Sequence, residues 1–139
     1  MRKRSGKYNA VRCERDGHKF DSKMERDFYS HMKLTTPGHL DVHPVVTLPG
    51  PIYWKLDFVL YPSYARPMFV DVKGHDTDVF KIKHKLFDRH HPCAPLVVIR
   101  RRGRDWFFDV PVGEAHFDVN KAMEWVICWR GEAQAEIQR

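Results

Sequence analysis

The segment from Met68 to Ile99 constrains the fold more than any other. Met68–Lys73 (MFVDVK) reads as a strand, Asp76-Thr77-Asp78 opens a helix, and Leu96–Ile99 (LVVI) is a continuous apolar run. Such a run suits a strand covered on both faces. Strand, helix and buried strand in succession are the signature of a parallel pair joined by a right-handed crossover. The helix has an apolar stripe of Val79, Phe80, Ile82, Leu86 and Phe87, with Lys81, Lys83, Lys85 and Arg89 mostly outside it, and His91-Pro92 stops it. A chain of 139 residues has room for one compact domain rather than two. The expected fold is therefore α/β, a mixed central β-sheet flanked by helices, in a single domain over residues 1–139.

The rest of the chain supplies more strands and two more helices. His39–Leu48 alternates loosely and ends at Pro49-Gly50-Pro51; Tyr53–Tyr61 (YWKLDFVLY) follows. The Pro62–Pro67 segment, with a proline at each end, reads as a hairpin connection into Met68–Lys73. Upstream, Phe28, Tyr29 and Met32 share one face of a helix over Asp21–Leu34, capped by Asp21 or Ser22 and ended by Thr35-Thr36-Pro37-Gly38. Downstream, Asp105–Val110 is a further strand. Asp118 can cap a last helix whose Val119, Met123, Val126 and Ile127 share a face, closing near Gly131. Residues 1–7 carry Arg2, Lys3, Arg4 and Lys7, either as a frayed, solvated terminus or as a flexible basic arm that follows phosphates.

Composition removes several classes. An apolar share of 42% supports one core, and 13% aromatic residues argue against wholesale disorder. No apolar run approaches the roughly 18 residues of a membrane span. Met-Arg-Lys-Arg is followed by no apolar stretch, so no secretory signal is read. Cys13, Cys93 and Cys128 are odd in number and lack a CxxC, which fits neither a disulfide scaffold nor a Cys-rich zinc site. A soluble, cytoplasmic domain is expected. Its 24 Lys+Arg against 18 Asp+Glu give a formal charge of +6, which suggests a polyanionic partner.

Three positions break the local rules together. Asp57 interrupts an otherwise apolar strand, although Asp is a poor strand former and is costly to bury unpaired. Asp71 and Lys73, two residues apart, share one strand face while Val70 and Val72 pack the other. Glu25 falls in the middle of the helical stripe of Phe28, Tyr29 and Met32. With residue 64 as the hairpin centre, positions i and 128 − i face each other, so Asp57 opposes Asp71. Like charges across a strand pair are destabilising and need a compensating cation. Lys73 supplies one charge; a divalent ion with all-oxygen ligation, Mg²⁺ or Mn²⁺, would supply two. Each position also has an ordinary alternative. Ser22 and Glu25 have the spacing of a capping box. Asp57 could pair with Lys55 or an Arg, and Asp71–Lys73 could be a surface ion pair.

Glu25, Asp57 and Asp71-Val72-Lys73, in this order, resemble the PD-(D/E)XK nuclease superfamily. The flanking strings Lys7-Tyr8-Asn9-Ala10, Phe20-Asp21-Ser22-Lys23-Met24-Glu25, Asp71-Val72-Lys73-Gly74 and Phe80-Lys81-Ile82-Lys83 look like a group of small phage-encoded proteins. The spacing is also similar to phage endonuclease I, a resolvase of four-way (Holliday) DNA junctions. The resemblance covers about residues 7–100. The proline of the motif's name is replaced here by Leu56, and Asp71 stands where Glu is commoner.

The resemblance implies a metal-dependent endonuclease, most simply a phage Holliday-junction resolvase. Glu25, Asp57 and Asp71 would hold Mg²⁺, for which Mn²⁺ would substitute, with the Val72 carbonyl as a further ligand and no nucleotide cofactor. Lys73 would orient the attacking water or stabilise charge on the phosphate. Phosphodiester hydrolysis needs in-line water, a Lewis acid on the scissile oxygen and a cation near the developing charge. Branched or double-stranded DNA would be held by Arg2, Lys3, Arg4, Lys7, Lys81, Lys83, Lys85 and Arg89, and by Arg100, Arg101, Arg102 and Arg104. Contacts of this kind read shape and weaken with salt. Two symmetric cuts imply a homodimer. Another nuclease of the superfamily (nicking, flap or end-cutting) and a non-catalytic DNA-binding module are the rival classes.

Histidines supply two further clusters, His39-x-Asp41-x-His43 and His90-His91-Pro92-Cys93, but neither has zinc-site spacing. His75 lies beside the motif and could contact a phosphate. Trp106, Trp125 and Trp129 read as core or dimer-interface residues.

Overall fold

The computed structural model describes residues 12–35, 39–61 and 67–124. The chain divides into two compact units, Met1–Pro37 and Gly38–Arg139. Among the described residues, no helix is long and apolar enough to cross a membrane.

The first unit contains a short hairpin and a helix: β1 (Cys13–Arg15), β2 (His18–Phe20) and α1 (Lys23–Thr35). The hairpin, outside the expected elements, turns on Asp16 and Gly17. Both have positive φ, 52° and 78°, as a two-residue turn matched to strand twist requires. Ser22 starts α1 by accepting a 3.2 Å bond from the Glu25 amide, so Ser22 rather than Asp21 caps the helix. The buried face of α1 is the expected stripe of Glu25, Phe28, Tyr29 and Met32. Within this unit Phe20 and Tyr29 meet with ring centroids 5.3 Å apart.

The second unit is built on a six-stranded mixed sheet. Its strands are β3 (His39–Val42), β6 (Phe58–Tyr61), β7 (Met68–Val72), β8 (Leu96–Arg102), β9 (Asp105–Asp109) and β10 (Glu114–His116). The spatial order is β10-β9-β8-β7-β6-β3, and only β7 and β8 run parallel. That pair is joined through α2 (Asp78–His90), as expected. The β6–β7 register pairs Phe58 with Val70 and Leu60 with Met68, sums of 128 that match the arithmetic from the sequence. The connection at 62–66 lies outside the described residues.

Two expected strands are broken. His39–Leu48 divides into β3 and β4 (Val45–Leu48), and Tyr53–Tyr61 into β5 (Ile52–Lys55) and β6, with β4 and β5 forming a separate ribbon. Pairing continues across the break: His43 N–H donates to the Asp57 carbonyl and Leu56 N–H to the Pro44 carbonyl, both at 2.9 Å. The cause is local. His43 has φ 57°, a left-handed conformation that bends the strand, and Pro44 has no N–H to give a regular ladder.

The bend also turns the hairpin over. Val59 on β6 pairs with Phe69, whose ring lies 5.4 Å from Phe87 of α2, so odd-numbered residues face the helix there. On β5 the even-numbered Trp54 faces it, 5.9 Å from Phe80 and 6.3 Å from Phe87. Val46, Leu48, Trp54, Leu56, Phe80, Phe87, Leu96 and Val98 make one apolar core around this helix.

The stripe expected on α2 is narrower in the structure. Phe80 and Phe87 are buried, but Val79 and Ile82 are each 60% exposed. Downstream, β9 and the unexpected β10 extend the sheet, and Trp106 is a core residue. Asp118 caps the following helix by accepting from Lys121 N–H at 3.0 Å. That helix is described over 119–124. Trp125, Val126, Ile127, Trp129 and Gly131, like residues 1–7, lie outside the described residues.

Candidate metal centre

The polar end of β7 collects the chemistry of the second unit. Phe69, Asp71 and Lys73 alternate onto the face that meets α2, while Met68, Val70 and Val72 fill the other side. Lys73 N–H continues the parallel ladder by donating to the Ile99 carbonyl at 2.9 Å. The strand thus stays straight through the motif, and its side-chain directions are fixed by the pleat.

Asp71 Oδ2 lies 2.8 Å from Lys73 Nζ, with the Asp71 side chain only 4% exposed. A surface ion pair of two solvated groups is therefore excluded: the carboxylate is buried. Lys73 is the only cation within ion-pair distance of it among the described residues, and that oxygen has no properly aligned hydrogen bond there. The ammonium also sits 4.3 Å from the Phe80 ring centroid, held between a carboxylate and an aromatic face.

Asp57 stands at the hairpin bend. Its Oδ2 accepts a 2.7 Å hydrogen bond from Val72 N–H, the peptide link that directly follows Asp71. Two carboxylates are thereby brought to one strand end. The predicted register and the bend together explain this, because Asp57 leaves the ladder just where it would oppose Asp71.

Beyond Lys73 the chain enters α2 through Gly74–Thr77. Thr77 caps the helix by accepting from Phe80 N–H at 3.0 Å. Asp76, beside the cap, accepts from Arg100 NH2 at 2.9 Å, and Arg100 also forks onto Asp109 at 2.8 and 2.9 Å. The Arg100 hydrogen bond holds the Asp76 carboxyl below the usual carboxylate range. Partial burial opposes this, while the charges of Arg100, Lys81 and Lys73 add to it. The same bonds to Asp109 and Asp76 push the Arg100 guanidinium above its already high value. Asp76 was not among the expected site residues, and Arg100 was expected as a phosphate contact rather than as a clamp on carboxylates. Asp76 read only as part of a helix start, and its partner lies 24 residues away.

Glu25 belongs to the first unit, where its side chain is buried on α1. Its amide is engaged by Ser22. The remaining candidate cations fall into distinct groups. Lys81, Lys85 and Arg89 are exposed at four-residue intervals on α2, form no ion pair among the described residues, and make one ridge; Lys83 is half-buried. Arg100 is committed to carboxylates. Arg101 stacks on Trp106 with its guanidinium carbon 5.0 Å from the ring centroid, and Arg102 pairs with Glu114 at 2.7 Å. Arg104 is exposed after the β8–β9 turn at Gly103. The histidine clusters have local roles: His39 meets Asp41 at 2.7 Å, and His91 Nε2 donates to the Thr47 carbonyl at 2.7 Å. Cys93 is an exposed free thiol.

Asp57, Asp71 and the Val72 backbone carbonyl are hard oxygen donors, the chemistry that Mg²⁺ or Mn²⁺ selects. Asp71 also presents a buried carboxylate whose nearest counter-charge is a single ammonium, so the residues present fit such an ion. No curated protein matches the chain. A model of the family described as "Protein of unknown function (DUF1064)" matches residues 5–103, which include the β7 motif, α2 and all of β8. The chain therefore belongs to the DUF1064 family.

Proposed function

We propose that this protein is a metal-dependent DNA endonuclease that resolves four-way junctions by symmetric phosphodiester hydrolysis. The observation that carries the proposal is the buried Asp71 carboxylate, 2.8 Å from Lys73, with Asp57 bonded to the next peptide link at 2.7 Å. Two carboxylates and one amine at a strand end are expensive to assemble for stability alone, since buried charge is costly to desolvate. The PD-(D/E)XK resemblance of Glu25, Asp57 and Asp71-Val72-Lys73 points to the same residues.

Asp57, Asp71 and the Val72 carbonyl would hold Mg²⁺, with Mn²⁺ as a substitute, and it is the motif resemblance alone that implies Glu25 as a further ligand. When bound, the ion supplies the Lewis acid that polarises the scissile phosphodiester. Lys73 turns its ammonium toward the phosphate oxygen, where negative charge develops, and orients the attacking water. Phe80 supports that amine from below. The ridge of Lys81, Lys85 and Arg89, beginning at the helix turn after Lys73, receives the phosphate backbone, with Lys83, Arg101, Arg102, Arg104 and the basic residues of 1–7 adding charge. Paired cuts require two sites, hence a homodimer acting on DNA in the cytoplasm, that of the host cell for a phage-encoded enzyme.

Cleavage of a labelled immobile four-way junction, beside linear duplex of the same sequence, tests the proposal with Mg²⁺ and with EDTA. Wild type is expected to place paired nicks in the junction only, in Mg²⁺ only, and Asp71→Asn to place none. Equal cutting of linear duplex would keep the nuclease and remove the junction. Junction binding without cutting in either Mg²⁺ or Mn²⁺ would leave a DNA-binding protein.

A further inference from the structure

Arg100 is half-buried, with 16% of its side chain exposed, and bridges three parts of the second unit. It sits on β8 next to Ile99, whose carbonyl receives the Lys73 amide at 2.9 Å. Its Nε and NH2 fork onto both oxygens of Asp109 on β9, at 2.8 and 2.9 Å. NH2 also reaches Asp76 Oδ2, at 2.9 Å, in the connection between β7 and α2. Glu114, paired across β9–β10 with Asp109, has its Oε1 3.9 Å from Arg100 Nε. The guanidinium is anchored on one side by the sheet, and the same Nη2 that bonds Asp109 also donates to the loop.

That loop carries both ends of Lys73's environment. Its first residues follow Lys73 directly, and its last, Thr77, fixes the first turn of α2 and so the ring of Phe80 that lies 4.3 Å from the amine. A continuous set of contacts thus runs Asp109–Arg100–Asp76, then through the Thr77 cap to Phe80, Lys73 and Asp71. The other oxygen of Asp76, Oδ1, is buried without a hydrogen-bond partner among the described residues.

We infer that Arg100 and Asp76 are positioning residues for Lys73. By pinning the Gly74–Thr77 connection to β8 and β9, they hold the Lys73 amine between Asp71 and the Phe80 ring. The inference rests on the reading of Lys73 as the amine that meets the phosphate. A guanidinium fork is required because one planar group must satisfy oxygens of two carboxylates at once. A lysine at the same place carries the charge but presents no such fork.

Steady-state junction cleavage by Asp76→Asn and Arg100→Lys tests it, with Asp88→Asn at the far end of α2 as control. The rate of reductive methylation of Lys73 is read by mass spectrometry on the same folded proteins. Asp76→Asn and Arg100→Lys are expected to lower kcat about tenfold with KM within about twofold, the pattern of a displaced reacting group rather than lost binding. Lys73 methylation should rise severalfold in both, and Asp88→Asn should change neither measure. Unchanged kcat in both variants, or unchanged methylation of Lys73, would overturn the inference. Should wild type cleave no DNA, faster methylation in the two variants would keep the positioning role and remove the nuclease reading; unchanged methylation would remove both.

Discussion

Asp57 Oδ2 accepts the Val72 amide at 2.7 Å, so a side chain at a hairpin bend completes the hydrogen bonding of the neighbouring strand. The bond ties two elements that the backbone ladder no longer joins at that point. It also gives Asp57 a structural duty alongside its proposed chemical one, and substitutions separate the two. Asp57→Ala leaves the Val72 amide without its acceptor and should cost about 1–3 kcal/mol of stability. Asp57→Asn keeps an acceptor oxygen and should cost less than half of that, while abolishing cleavage as fully as Asp57→Ala. Urea denaturation followed by junction cleavage on both variants checks this.

Lys73→Met strands the Asp71 carboxylate, 4% exposed, without its counter-charge. A loss of roughly 2–3 kcal/mol is expected, short of the full penalty for breaking a buried pair because Lys73 keeps some water. Millimolar Mg²⁺ should recover more stability in Lys73→Met than in wild type, since a divalent charge replaces the missing ammonium. Asp71→Asn should show little response. Thermal melts with Mg²⁺ and with EDTA report both effects.

Acid should weaken the units at different pH. Burial holds His31 below its ordinary value, so the unfolded chain binds the proton more readily. The stability His31 contributes is complete above its ordinary value of about 6.5 and is lost as pH falls through its lower folded value. Asp76 is also depressed, chiefly by its bond from Arg100. Its contribution is complete above about 3.9 and is lost in more acid solution. His31→Gln should flatten the slope of stability with pH below 6.5, and Asp76→Asn the slope below 3.9. Urea midpoints across the pH range measure both.

The ridge on α2 makes a salt prediction. Exposed cations at four-residue steps lie about 6 Å apart along a helix, so Lys81, Lys85 and Arg89 span about 12 Å. If each neutralises one phosphate, each alanine substitution should lower the slope of log Kd against log salt by about 0.9 and weaken binding to all junctions alike. Fluorescence anisotropy over a salt series checks it. Unchanged slopes would remove the ridge from the interface.

Much of this fold was legible because its signals are local. The β7–α2–β8 unit follows from a strand, a stripe and an apolar run in order, and the Pro62–Pro67 connection set the β6–β7 register. The break in the long hairpin was hidden, because Trp54, Leu56, Phe58, Val59 and Leu60 are all buried and composition does not reveal which side each faces. His43-Pro44 was the available sign, a residue pair that cannot continue a regular ladder. Val79 and Ile82 were placed in the helix stripe on apolarity alone; Phe80 and Phe87 fill the space beneath α2, which leaves both aliphatic residues in water. At the candidate site, Asp71 and Lys73 were visible through strand alternation. The Asp76–Arg100 contact was not: Arg100 read only as a phosphate contact, and only the sheet brings together residues 24 apart.

The reversal of faces at His43-Pro44 and Leu56-Asp57 makes the β4–β5 ribbon a module with its own address. Its inner residues serve α2, its tip is the Pro49-Gly50-Pro51 turn, and its root alone sets where the Asp57 carboxylate stands. Paired residues added or removed near the tip would lengthen or shorten the flap without moving that carboxylate. One residue added to a single strand would instead slip Trp54 off the helix. The ribbon can therefore drift in length between relatives by matched steps, while the four residues at its root stay fixed in number.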